Sequence, residues 1–187
     1  MTAIRPARLS DLGAITEIYN EAVRTTTATF DTKPKTVAQQ QCWYQSHGGR
    51  YRIVVAELDG EVVGWACLSR WSERLAYDDT AETSFYVKSG HRGRGIGREL
   101  KEAIVEQGRR LGFHSLIARV TEGSEASLHL NESAGFRHVG VLKEVGRKFG
   151  RLLDVHVMQV IFDVTVQPDE SVCKKGKRGK QGKGKTD

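Results

Sequence analysis

Residues 92–97 read Arg-Gly-Arg-Gly-Ile-Gly, and they stand between a strand signal and a helix signal. Before them, TAETSFYV (80–87) alternates and is rich in β-formers. After them, RELKEAIVEQGRRLG (98–112) places Leu100, Ile104 and Val105 on one face with charges opposite, and stops at Gly112. Successive glycines let the backbone turn tightly and present bare N–H groups. The helix that follows adds its N-terminal dipole, which suits the turn to a pyrophosphate. Arg92, Arg94 and Arg98 add positive charge. The same six residues would also serve as a plain connector, so the turn alone does not name a ligand. Two nucleotide folds are excluded. A phosphate loop of the NTPase kind ends Gly-Lys-Ser/Thr, whereas Gly97 is followed by Arg98-Glu99. A dinucleotide fold needs GxGxxG and an acid about 20 positions on, and the strand after this helix, FHSLIARV, has none.

Elsewhere the chain alternates short β signals with helical ones. TAIRPA opens as a strand. Ser10 or Asp11 caps a first helix that ends near Arg24, and TTTATFDTKP is a loop. Thr36 caps a second helix ending at His47-Gly48-Gly49. YRIVVAEL and EVVGWACLSR flank Asp59-Gly60, a pair suited to a tight primed hairpin. FHSLIARV is a strand, and Ser124 or Ser127 starts a helix that stops at Gly135. FRHVGVL is a strand, 146–150 a loop, and LLDVHVMQVIF a long last strand. The order β-α-α-β-β-β-α-β-α-β-β predicts an α/β (α+β) domain. Its mixed, largely antiparallel sheet has about six to seven strands, one parallel crossover over 80–120, and helices on both faces.

The net charge of +6 is confined to one end. Residues 174–187, KKGKRGKQGKGKTD, hold seven basic residues and one acid, leaving 22 of each sign in the rest. A neutral body argues against a nucleic-acid-binding surface on the domain itself. We therefore divide the chain into a domain over 1–165 and a disordered Lys/Gly-rich tail over 166–187, which alone offers contact to nucleic acid or acidic partners. No apolar run reaches membrane-spanning length, and MTAIRPARLSDL carries no apolar signal region. Cys42, Cys67 and Cys173 have no CxxC or metal spacing, so reduced thiols in a cytoplasmic protein are expected. The six histidines show no ligand spacing, and no metal is expected.

Taken together, R-G-R-G-I-G after Tyr86-Val87 resembles the acetyl-CoA signature of the GNAT acetyltransferase superfamily, and SEASLHLNESAGF (124–136) is similar to its second cofactor motif. The resemblance covers about residues 3–162. WSERLAYDDTAETSFYV (71–87), VGRKFGRLLD (145–154), and IYNEAV (18–23) with 27–30 are similar to a narrower branch. That branch acetylates phosphinothricin, methionine sulfoximine and methionine sulfone on the α-amine, and it forms dimers. The resemblance implies acetyl-CoA as co-substrate, a small-molecule amine as acceptor, and a homodimer.

It also implies roles. Glu82 is the general base, because an amine attacks only when unprotonated and a carboxylate can take its proton. On alternation alone Glu82 is a solvated strand residue. The backbone N–H of Val87 polarises the thioester carbonyl, and nearby main chain pairs with pantetheine. Cofactor contacts are expected from Phe85, Tyr86, Val87, Arg92, Gly93, Arg94, Gly95, Ile96, Gly97, Ser124, Ser127 and Asn131. Arg74 is the candidate for the acceptor carboxylate, with Phe30, Tyr77 and Thr83 shaping the pocket. Trp65 and Trp71 read as core or pocket wall, and Lys148, Phe149 and Asp154 as pocket or dimer contacts.

Two departures stand out. Ser124 replaces an asparagine that contacts the pantetheine arm, and Asn131 replaces a His or Tyr able to protonate the departing thiolate. Asn131 is no acid, although a thiol with a pKa near 8.5 leaves readily. Acetylation of protein N-termini or lysines, and acyl-CoA binding without transfer, are the alternative readings.

Overall fold

The computed structural model describes residues 2–163, so the basic tail and Cys173 lie outside the described residues. The elements follow the expected order. They are β1 (Ala3–Pro6), α1 (Leu12–Thr25), α2 (Val37–Ser46), β2 (Ile53–Leu58), β3 (Glu61–Arg70), β4 (Thr80–Val87), α3 (Ile96–Arg110), β5 (Ser115–Thr121), α4 (Glu125–Ser133), β6 (Arg137–Lys148) and β7 (Arg151–Ile161). The strands form one sheet in the order β1-β2-β3-β4-β5-β7-β6. Every pair is antiparallel except β4 and β5. No helix among the described residues is long and apolar enough to cross a membrane.

β3 is buried on both faces from Val62 to Leu68, and its side chains divide between two layers. Val62, Trp65 and Cys67 pack against Leu12, Ile15 and Ile18 of α1. Val63, Ala66 and Leu68 pack against Ile96, Leu100 and Ile104 of α3. Helices therefore cover both faces. Each fully buried aliphatic side chain contributes about 1.5–3 kcal/mol, which is why alternation along a central strand fixes its register. The hairpin turn is as expected, with Asp59 at φ 51° and Gly60 at φ 82°. Thr36 caps α2, its hydroxyl accepting from the Gln39 amide at 3.2 Å.

Two expectations need correction. Residues 146–150 are not a loop. β6 runs through Lys148, and the turn is only Phe149-Gly150, both at positive φ (49° and 76°). A register shift between Leu142 and Gly146, with Glu144 at φ 50°, carries the strand past its glycines. Lys101 is not on the solvated face of α3. It is 1 % exposed, because it shares the stripe of Gly97, Ile104, Val105 and Gly108 at i−4, i+3, i+4 and i+7.

Candidate active site

β4 and β5 pair over only three residues: Thr80 with Ser115, Ala81 with Leu116, and Glu82 with Ile117. Beyond Glu82, β4 continues beside β3 to Val87, while β5 continues beside β7 to Thr121. The two strands diverge, and the inner edge of β4 loses its partner. The Lys88 amide donates to Val63 O at 2.9 Å. Successive amides alternate in direction, so the Val87 and Phe85 N–H groups point the other way, into the gap. An extended ligand arm entering the gap would meet unpaired main chain, as a further strand would.

The gap opens into a groove of about 870 Å³, lined by Thr25–Ala28, Phe85–Val87, Arg92, Gly93, Gly95, Gly97 and the Ser124–Leu130 face of α4. At its mouth Gly93 and Gly95 adopt φ of 75° and 85°, left-handed geometry that glycine takes without a Cβ penalty. Gly95 caps α3, its carbonyl accepting from the Arg98 and Glu99 amides. The first amides of α3 have no partner inside the helix, and the positive helix end faces the groove. Arg92 leans over it with its Nε donating to Val87 O at 3.0 Å.

On the α1/α2 face a second cavity of about 380 Å³ is lined by Tyr19, Asp31, Lys35, Gln40, Trp43, Trp65, Cys67, Ser69, Ser84 and Tyr86. Trp65 Nε1 is buried and has no hydrogen-bond partner among the described residues. The Asp31 carboxylate accepts from Tyr19 at 2.6 Å and pairs with Lys35 at 3.0 Å. Burial works against its charge, but these two donors outweigh burial and hold its carboxyl below the usual range. Burial pushes the Cys67 thiol up to about 11, so it is not an activated nucleophile. Burial likewise raises the Tyr86 hydroxyl, which stays protonated.

Glu82 lies next to two residues that line this cavity. Its cross-strand partner is Ser69 and its same-face neighbour is Ser84, and both line the cavity. Its carboxylate accepts from Arg119 Nε at 2.6 Å and Nη2 at 2.7 Å, and Trp71 lies 5.8 Å from the guanidinium. A third, inner cavity of about 60 Å³ lies in the gap itself, lined by Thr83–Tyr86, Lys101, Arg119, Ser124, Ser127 and Asn131. Tyr86 lines all three spaces, so the groove and the 380 Å³ cavity meet at Tyr86.

Residues 15–136 match the Acetyltransferase (GNAT) family. The chain belongs to the GNAT acetyltransferases. A Pseudomonas aeruginosa protein named L-methionine sulfoximine/L-methionine sulfone acetyltransferase is 38 % identical over 87 % of this chain and 96 % of its own. A Streptomyces coelicolor phosphinothricin N-acetyltransferase is 40 % identical over 81 % and 91 %. A solved Sinorhizobium meliloti phosphinothricin acetyltransferase in complex with AcCoA superposes with a TM-score of 0.86, at 34 % identity over 91 % of this chain and 94 % of that one. The observed groove fits acetyl-CoA: glycine amides and a helix N-terminus for the phosphates, and an unpaired strand edge for the arm.

In this N-acetyltransferase the expected cofactor residues gather largely as read. Phe85, Tyr86, Val87, Arg92, Gly93, Gly95, Gly97, Ser124 and Ser127 line the groove, and Asn131 lines the inner cavity. Ile96 does not line it, because its side chain is 2 % exposed within the core, and Arg94 is exposed outside it. Of the expected acceptor residues, none lines the 380 Å³ cavity. Arg74 and Tyr77 sit exposed on a short 3-10 turn. Phe30 packs its ring on Gly146. Thr83 faces α3, its Oγ1 accepting from Lys101 at 2.8 Å. Lys148 is 3 % exposed and donates to Thr29 O at 2.7 Å, pinning the loop between α1 and α2. The sequence reading missed Arg119 and Lys101. The signal for Lys101 was its place in the apolar stripe of α3; for Arg119, two strand positions past the last β4–β5 pair, a single sequence offers none.

Proposed function

We propose that the protein transfers acetyl from acetyl-CoA directly to the α-amine of a small amino-acid-like acceptor, of the phosphinothricin, methionine sulfoximine or methionine sulfone type. The observation that carries this is the 380 Å³ cavity on the Glu82 face, joined to the groove at Tyr86. Its volume suits a small molecule rather than a peptide, and it combines aromatic walls with a few polar groups. Arg92, Gly93, Gly95 and the α3 amides hold the phosphates, and the unpaired edge of β4 holds the arm. An outward N–H of the β4 edge, at Val87 or Phe85, polarises the carbonyl, worth about 3 kcal/mol of barrier for such a donor. Glu82, held by Arg119, takes the proton of the attacking amine, directly or through one water. Trp65 Nε1 donates to an acceptor oxygen, which gives a buried orphan donor its partner.

The exposed apolar side chains Val139, Leu142, Val145, Leu152 and Ile161 on the β6–β7 end of the sheet support a homodimer, with β6 as an open edge. Light scattering reads that state directly.

The deciding experiment measures thiol release from acetyl-CoA with the three acceptors. Acceptor-dependent release supports the reading. Release with peptide N-termini but none of the three would replace it.

A further inference from the structure

Lys101 is a buried cation site that the reading above leaves unused. It is 1 % exposed. Its Nζ donates to Thr83 Oγ1 at 2.8 Å and lies 3.8 Å from the Phe136 ring centroid. No carboxylate pairs with it among the described residues. A lysine so placed would ordinarily be selected against, because burying an ammonium without a counter-charge is costly.

Its surroundings indicate what offsets that cost. Lys101 lines the 60 Å³ inner cavity with Asn131, whose Oδ1 is buried without a partner while its Nδ2 donates to Ser127 O. The inner cavity and the groove share Ala28, Phe85, Tyr86, Ser124 and Ser127, so the groove runs into it. A thioester arm that follows the unpaired edge of β4 past Val87 to the Phe85 N–H would bring its sulfur into the inner cavity that Lys101 lines. Glu82 and Thr83 are adjacent and point to opposite faces of β4. The base thus stands on the acceptor side and Lys101 on the other. Asn131 has no proton to give a thiolate, and Lys101 stands in the same cavity lining.

We propose that Lys101 is the general acid of the reaction, donating a proton to the sulfur of the departing coenzyme A. This rests on the acetyl-transfer reading. As the acceptor nitrogen's lone pair forms the new N–C bond, its proton passes to Glu82 and the C–S pair leaves with sulfur. A Lys101 N–H bond breaks, S–H forms, and the nitrogen keeps its pair until water reprotonates it. Burial pushes the Lys101 ammonium down to about 7, close to working pH, where an acid is most effective. The other charged side chain in the cavity lining is Arg119 of β5, which is committed to Glu82; the groups from β4 and α4 are neutral.

The test compares wild type with Lys101→Met and Lys101→Gln, the latter able to keep an N–H donor on Thr83. Both variants are expected to lose kcat by about 10²-fold with KM for either substrate changed by less than about threefold. Rescue of kcat by Lys101→Gln would make the lysine merely structural and overturn the proposal. A second readout needs no acceptor: calorimetric affinity for coenzyme A against desulfo-coenzyme A at pH 6.5, where Lys101 is largely protonated. Wild type is expected to prefer the thiol by about fivefold or more through an ammonium N–H donated to the sulfur, and both variants to lose the preference. Equal ratios in all three proteins would overturn the proposal even if no acceptor were turned over, which separates its failure from failure of the transfer reading.

Discussion

Arg119 on β5 grips both carboxylate oxygens of Glu82 on β4, at 2.6 and 2.7 Å, where the two strands part. The pair closes the gap's inner end and fixes the direction of the carboxylate. With Arg119 half exposed, it contributes little to stability, about 0–1 kcal/mol. Its expected contribution is to catalysis. Glu82→Gln should lower kcat by about 10²-fold with KM for acetyl-CoA nearly unchanged. Arg119→Met should lower it by about tenfold, and the double variant should lose no more than Glu82→Gln alone, because the two act as one unit. Steady-state thiol release checks all three, and fully additive losses would contradict the coupling.

Trp65 supplies the unpartnered indole N–H of the acceptor cavity. Trp65→Phe keeps an aromatic wall and removes the donor. KM for the acceptor should rise by about tenfold, the worth of one buried hydrogen bond. KM for acetyl-CoA should stay constant. A parallel rise in both would place the donor's effect in general packing instead.

Gly146 on β6 lies under the ring of Phe30, and an added Cβ would meet that ring at contact-violating distance. Gly146→Ala must displace Phe30 and with it the loop that lends Asp31 and Lys35 to the acceptor cavity and Thr25–Ala28 to the groove. We expect a loss of about 1–3 kcal/mol in urea denaturation and a weakened acceptor KM.

Lys101 also predicts a pH-dependent stability. Its ammonium is held at about 7 in the native protein against 10.5 in an unfolded chain. Between those values the unfolded chain binds a proton that the native protein does not, so stability rises with pH across the window. The burden of the buried charge is therefore fully present below about pH 7 and fades as pH approaches 10.5. Lys101→Met should raise Tm by about 5 °C at pH 6 and by less at pH 9. Thermal melts at the two pH values check it. A more stable but slower variant is the expected trade when a strained group serves the site.

The element order, the hairpin at Asp59-Gly60, the parallel crossover and the cofactor turn were legible in the amino-acid sequence. Each depends on local signals: period-two or period-3.6 apolar spacing, a cap, a glycine at positive φ. Most of the residues that line the groove were legible as well, through their resemblance to known motifs rather than through periodicity, and Glu82 was named by the same resemblance. Residues 146–150 were misread because a bulged edge strand resembles a glycine-rich loop when only composition is visible. What tertiary structure alone decided is which distant residues meet. It set Arg119 against Glu82 across 37 positions and Lys148 against Thr29 across 119. It placed Phe30, Arg74 and Tyr77 away from the 380 Å³ cavity and Trp65 on its wall. It turned Lys101 from a surface charge into a buried one. The reason is physical: local sequence fixes backbone conformation and the face a residue takes, whereas burial and partner choice depend on how α3 and the diverging strands β4 and β5 pack, and no single segment carries that information.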